Sequence, residues 1–264
     1  MDTEFRIEHE GALTIVTLDH TEVGNALGGD AAAALADVFD DISLRSGTQR
    51  AVLLCAEGKH FCTGADLRGR RSDGTTSITG HMVRGLARTH HRAIGAVFNC
   101  RVPVVSAVQG AAWGFGLHLA LAADFTIASE TATFKEPFTD RGFNVDSGGS
   151  WLLPRLVGLT RAKQLLYLAD TVDAPTAQDW GLVHRVVPAD ALDGAAREVA
   201  SRLAARPTQA LAATKALLHR GTEVTLEQAM HDESMAVELT IRSHDFREGM
   251  QAFVEKRTPE FDGT

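Results

Sequence analysis

Cysteine is scarce, three residues in 264, and Cys55, Cys62 and Cys100 form no CxxC pair. An odd count without paired spacing argues against a disulfide framework and fits a reducing cytoplasm. Basic residues are outnumbered 26 to 34, giving a formal charge of −8 and a pI near 5.7. That balance opposes any role in coating phosphate backbones, so nucleic acid is not an expected partner. No apolar run approaches the ~18 to 20 residues of a membrane span, and the opening MDTEFRIEHE is acidic where an export signal needs an apolar stretch. Walker A, GxGxxG and GxSxG motifs are also missing. Gly110, Gly114 and Gly116 have the wrong spacing with no Lys-Ser/Thr behind them, and Ser147 and Ser150 sit in DSGGS. Nucleotide hydrolysis and serine-hydrolase chemistry therefore lack an anchor. The eleven histidines form no HxxxH or HExxH pattern. Adjacent His90 and His91 would diverge by about 100° on a helix, so no metal site is expected.

What is present is an ordinary globular composition, 44% apolar and 23% charged, long enough for one main domain with an appendage. Alternating segments at 5–10 and 12–19 around Gly11 predict a β-hairpin. The stretch 29–44 predicts a helix burying Leu35, Val38, Phe39 and Ile42, and AVLLCA at 51–56 predicts a buried strand. A Gly-, Arg- and Ser-rich stretch at 68–79 reads as a mobile loop before a long helix over 80–100. VPVVSAV, the turn QGAAWGFG, the helical LHLALAA and the strand DFTIAS form a second strand-turn-helix-strand unit. From residue 147 onward the chain reads as mostly helical, with a short strand at 183–187. Two final helices at 226–243 and 246–256 would expose Met230, Met235, Val237, Leu239 and Phe253, a face expected to pack on another subunit or back on the core.

Three segments combine glycine turns with helix starts: HFCTGADL at 60–67, QGAAWGFGLHLALAADF at 109–125, and RGFNVDSGGSWLLPRLVG at 141–158. Such a turn presents unpaired backbone N–H groups and the positive end of a helix, suited to holding an oxyanion. Each segment alone reads equally as a tight connection. Together, in this order and with WGLVHRVVP at 180–188, they resemble the enoyl-CoA hydratase/isomerase family, the crotonase superfamily. The resemblance implies an α/β crotonase (ClpP-like) spiral of ββα units over 1–197, then a helical oligomerisation region over 198–264. It also implies a homotrimer, often paired into a hexamer as a dimer of trimers. The substrate is then an acyl-CoA thioester, with no metal or other cofactor.

Placed on this chain, the family's two oxyanion-hole donors are the N–H groups of Ala65 and Phe115, with Gly114 and Gly116 allowing close backbone approach. A bulky Phe115 replaces the usual glycine and is expected to reshape the acyl pocket. Hydratases of the family use two glutamates, which here fall on His118 and Phe138. Glu136 lies two residues from the second position. Asp146 matches the aspartate with which isomerase-type members carry a proton between carbons of the enoyl chain, and an apolar surround of Phe115, Phe138, Phe143 and Trp151 suits a carboxyl that alternates between charged and neutral forms. Read from the residues alone, Asp146 could instead cap the helix beginning at Ser147, and His118 could be a satisfied core histidine.

A dehalogenase branch of the family pairs an aspartate nucleophile at this position with a histidine matching His91, although its pocket tryptophans fall on His90 and Phe138. Coenzyme A contacts are expected from the Asn25-Ala26-Leu27 turn and from Ala65, Asp66 and Leu67. Arg68 is a candidate phosphate partner, and a neighbouring subunit's Phe253 and Lys256 could add to the site. Double-bond isomerisation through a thioester enolate is the expected reaction, with Asp146 moving the proton and His118 assisting. Hydration, Asp146 as the nucleophile of a dehalogenase or thioesterase, and weak acyl-CoA binding without turnover remain the alternatives.

Overall fold

The structure, a computed structural model, describes residues 4–66 and 80–264. The loop expected over 68–79 and the candidate contacts Leu67 and Arg68 lie outside those residues. The chain opens with β1 (Phe5–Glu10) and β2 (Leu13–Leu18), an antiparallel hairpin turned at Gly11. Helix α1 (Gly29–Leu44) follows, then β3 (Ala51–Ala56). The α1 stripe buries Ala32, Leu35, Ala36, Phe39 and Ile42, the 3.6-residue spacing of a helix lying on a sheet.

The helix expected over 80–100 is two helices, α2 (His81–Arg88) and α3 (His90–Phe98). Thr89, with φ −124° and ψ −101°, breaks the run between them. After β4 (Val104–Val108), the turn expected at 109–116 contains a short strand, β5 (Ala111–Trp113), before α4 (Phe115–Leu121). Then come β6 (Phe125–Ser129), β7 (Thr133–Lys135) and α5 (Gly149–Lys163), which continues as a π-helical turn over Gln164–Leu168. The rest is β8 (Val172–Asp173), α6 (Ala174–Asp179), β9 (Arg185–Val187), α7 (Leu192–Ala204), α8 (Thr208–Gly221), α9 (Leu226–Thr240) and α10 (His244–Glu255).

Two sheets organise these elements. The larger runs β1-β2-β3-β4-β6-β9 and is parallel from β2 onward; the smaller runs β5-β7-β8. Alternation along the strands separates two cores. Leu13, Ile15, Leu53, Val105 and Ile127 point to one face and pack on α7, whereas Val16, Leu18, Val52, Leu54 and Val104 face α1, α3 and α4. The α7 stripe Leu192, Ala196, Ala200 and Ala204 continues on the sheet through its whole length, so this helix straddles the boundary expected at 197/198.

The chain's end is tied to the body by Arg50. Its guanidinium donates to Thr208 Oγ1 (3.0 Å) and to the carbonyls of Phe261 (2.7 Å) and Arg206 (2.9 Å). Asp245, buried at the start of α10, accepts from the N–H groups of Asp262 and Gly263. The neighbouring side chains of His244, Asp245 and Asp262 therefore read as a C-terminal tie. In the single chain α9 and α10 leave Leu239 71% and Phe253 80% exposed, with Met230, Met235 and Val237 beside them. No helix among the described residues is long and apolar enough to cross a membrane.

Candidate active site

The segment after β3 runs alongside β5 and is stitched to it by backbone bonds. Phe61 N–H donates to Gln109 O (2.8 Å), Cys62 N–H to Ala111 O (3.1 Å) and Trp113 N–H to Cys62 O (3.1 Å). The stitching brings α4 so close that a Cβ on Gly116 would lie 2.1 Å from the Cys62 carbonyl oxygen, so only glycine fits there. On its other side the segment pairs with Leu27, whose N–H reaches Gly64 O (3.1 Å) and whose carbonyl takes the Asp66 N–H (2.8 Å). Those two bonds use the groups flanking Ala65. Its own N–H therefore faces away from Leu27, toward the β5 side.

Phe115 opens α4, and the first bond of that helix runs from His118 N–H to the Gly114 carbonyl (3.0 Å). The Phe115 N–H precedes it and is one of the donors a helix start leaves unpaired. Gly114 takes φ 52° and ψ −119°, a turn that aims this helix start inward. Ala65 and Phe115 line one cavity of about 40 Å³.

The rest of that cavity is aromatic on most sides. His90 and Leu86 come from α3 and α2, Trp113 from β5, Pro137, Phe138, Arg141 and Phe143 from the stretch after β7, and Asp146 and Ser147 from the loop before α5. The Phe115 ring meets His90 edge-on at 4.7 Å, and Phe138 meets Phe143 edge-on at 5.4 Å. Among the described residues Asp146 is the only carboxylate lining the cavity. It does not cap α5, which begins at Gly149 behind Gly148 with no side-chain cap bond. The loop is instead bent through left-handed backbone at Ser147 (φ 48°) and Gly148 (φ 87°), a conformation that costs a non-glycine residue about 1 kcal/mol or more.

Several expected site residues sit elsewhere. Trp151 does not line this cavity; it lies a helical turn further along α5, edge-on to Phe98 at 5.3 Å and under Arg155, in clefts with Leu152 and His219. His91 is exposed and borders an outer cleft with Ile94, Phe98 and Trp151, so it is its neighbour His90 that reaches the Asp146 cavity. Ala26 and Asp66 flank the Leu27–Ala65 pairing outside the cavity wall, both half-buried. Asn25 is a structural residue, since its side chain binds the backbone of His20, Glu57 and His60. Phe253 and Lys256 are exposed in the single chain. Trp113 and Arg141 were not among the expected lining residues, whereas His90 stands where the dehalogenase branch holds a pocket tryptophan. The WGFG turn was the available signal for Trp113.

His118 lies behind the wall rather than in it. Both His118 and Glu136 are fully buried, and His118 Nε2 is 2.8 Å from Glu136 Oε1. The imidazole stacks on the Phe138 ring at 5.9 Å. Burial pushes the Glu136 carboxyl up, opposed by His118 and reinforced by the charge of Asp146. Burial also pushes the Cys62 thiol up to about 12, which leaves it without a thiolate for chemistry.

The sequence matches the family model described as Enoyl-CoA hydratase/isomerase over residues 8–264. The chain belongs to this family. A "Probable enoyl-CoA hydratase" of Rhodobacter capsulatus is 37% identical over 258 residues, covering 98% of this chain and 97% of that protein. The 1,2-epoxyphenylacetyl-CoA isomerase of Escherichia coli is 34% identical over 262 residues, covering 98% and 99%. The crystal structure of an enoyl-CoA hydratase from Bacillus anthracis superposes with a TM-score of 0.91 at 31% identity, covering 99% of this chain and 100% of that one. The fold is the crotonase fold with its helical C-terminal region, and the protein is an acyl-CoA enzyme of this family.

The raised Glu136 carboxyl has a consequence for stability. The fold prefers its neutral form, so the contribution is complete below the ordinary value of 4.5 and is lost as pH rises from there through the raised value. Glu136→Gln, which stays neutral, is expected to flatten the decline of melting temperature with rising pH above 4.5, as followed by thermal scans across a pH series.

Proposed function

We propose that this family member is an isomerase that moves a double bond along an enoyl-CoA by a one-base proton shuttle. The observation that carries the reading is Asp146, the one carboxylate among the described residues that line the cavity, set among the rings of His90, Trp113, Phe115, Phe138 and Phe143 with Arg141 beside them. In this reaction the thioester oxygen of a 3-enoyl-CoA sits between the N–H groups of Ala65 and Phe115. Asp146 takes a proton from C2, and the electron pair spreads from C2 to the thioester oxygen as a dienolate. Each backbone donor stabilises that oxyanion by about 3 kcal/mol in a water-poor site. The protonated Asp146 then returns the proton to C4, and the double bond closes between C2 and C3. The proton count balances with no water consumed. No cofactor enters besides the coenzyme A carried by the substrate, whose remote binding energy positions the reacting carbons.

Hydration draws support from relatives named as hydratases, but the geometry offers it little. Of the two positions where hydratases of the family hold glutamates, one is Phe138 and the other is His118, sealed against Glu136 away from the cavity. One relative, 34% identical over nearly its full length, is named a 1,2-epoxyphenylacetyl-CoA isomerase, which supports isomerase chemistry in a chain this similar without naming an enoyl substrate.

We further propose that the exposed apolar faces of α9 and α10 are subunit contacts in a trimer or a dimer of trimers. A cytoplasmic location fits the free thiols of Cys55, Cys62 and Cys100.

Asp146→Asn is expected to lower turnover of 3-enoyl-CoA by about 10²- to 10⁴-fold while the product keeps the substrate's mass. Mass spectrometry after incubation with 2-enoyl-, 3-enoyl- and aryl-CoA thioesters checks this. A product heavier by one water and insensitive to the substitution would remove the isomerase reading. Sedimentation analysis is expected to give three or six copies, and a stable monomer would remove the oligomer.

A further inference from the structure

We propose that His118 and Glu136 form a buried positioning pair that fixes the Asp146 loop and Phe138 relative to α4. The inference rests on the reading of this cavity as the catalytic site. Neither residue touches the cavity, so neither is a catalytic residue.

The pair sits where three cavity-forming segments meet. His118 is on α4, one turn after Phe115. Glu136 directly follows β7 and precedes Pro137 and Phe138, which line the cavity. The third segment is the start of α5. A Cβ on Gly149 would fall 2.2 Å from His118 Nε2 and 2.6 Å from Cε1, so the imidazole lies flush on the backbone three residues after Asp146. One ring therefore touches the Asp146 loop, stacks on Phe138 and hydrogen-bonds Glu136, from a helix whose own first N–H is the second oxyanion donor.

The chemistry of the pair explains why these residue types are used. In a site with no solvent exposure, a carboxyl and an imidazole each need the other, and losing one strands its partner. The bond at 2.8 Å extends, beyond the β5–β7 pairing and the Gly114 N–H to Lys135 carbonyl bond, the tie between these two segments to the side chains behind the cavity wall. Glu136 Oε2, His118 Nδ1 and Ser147 Oγ are buried with no hydrogen-bond partner, so the Nε2–Oε1 bond is the side-chain hydrogen bond that this buried pair makes. The bent backbone at Ser147 is the kind of conformation that persists only when its surroundings hold it.

The test compares wild type with Glu136→Gln, which keeps an acceptor and donor for the imidazole, and with the double variant His118→Leu/Glu136→Leu, which removes both polar groups and leaves neither stranded. The double variant is expected to fold and to bind a non-reacting saturated thioester, butyryl-CoA, with a Kd within about threefold of wild type. Its kcat for 3-enoyl-CoA is expected to fall by about 10- to 100-fold, the cost of a base displaced by a fraction of an ångström or more. Hydrogen exchange in the peptide spanning 143–151 is expected to accelerate. Glu136→Gln should recover most of kcat and of the exchange protection. A folded double variant with wild-type kcat and wild-type exchange at 143–151 would overturn the proposal. Should Asp146→Asn itself retain full turnover, the one-base reading falls and the exchange measurement alone decides whether the pair positions the loop. If the double variant does not fold, an unprotected 143–151 peptide in folded Glu136→Gln would overturn the proposal, because there the bond is kept.

Discussion

The site depends on one close approach of backbone to backbone. The segment Phe61–Ala65 is hydrogen-bonded along β5 on one side and to Leu27 on the other, and it presses against Gly116 with no room for a side chain. This contact joins the two sheets and sets the mutual position of the Ala65 and Phe115 N–H groups. Donors fixed by main-chain ladders need no reorganisation when charge develops on a thioester oxygen, which is where preorganised dipoles gain most over water. Because the proposed donors are backbone groups, the side chain at position 115 is free to vary, and the Phe115 ring forms part of the cavity wall.

Around that fixed hole the proton chemistry is set by exclusion. Where hydratases of the family hold two glutamates, this chain has a ring, Phe138, and an imidazole turned away into the core. Among the described residues the one carboxylate at the cavity, Asp146, reaches it from a loop bent through left-handed backbone at Ser147 and Gly148. A single base that takes and returns a proton needs no bound water as reactant. The proposed isomerisation rests on these residues.

Much of the fold was legible because its signals are local. The hairpin around Gly11, the α1 stripe and the β3 run follow from periodicity alone, and their bounds differ from the structure by a residue or two at most. The smaller sheet was not legible. Its strands β5, β7 and β8 are two or three residues long, and they are strands only because distant segments pair with them. The break at Thr89 was hidden for a similar reason, since no proline or glycine marks it.

Of the candidate site residues, the ordered motifs carry Ala65, Gly114, Phe115, Phe138 and Asp146 to the lining of one cavity. Periodicity could not tell His90 from His91, because a boundary at Thr89 decides which faces inward. Nor could spacing join His118 to Glu136, 18 residues apart across two sheet strands. Trp151, inside α5, packs edge-on to Phe98 outside the Asp146 cavity, a contact between distant segments that spacing does not reveal.

The most direct measurement of the central claim is a single-turnover reaction of 3-enoyl-CoA deuterated at C2, in ordinary water, with the label located in the product. A one-base shuttle at Asp146 predicts deuterium at C4 above the solvent background and no added mass of water. Product with no deuterium at C4, or product carrying a hydroxyl, would contradict it.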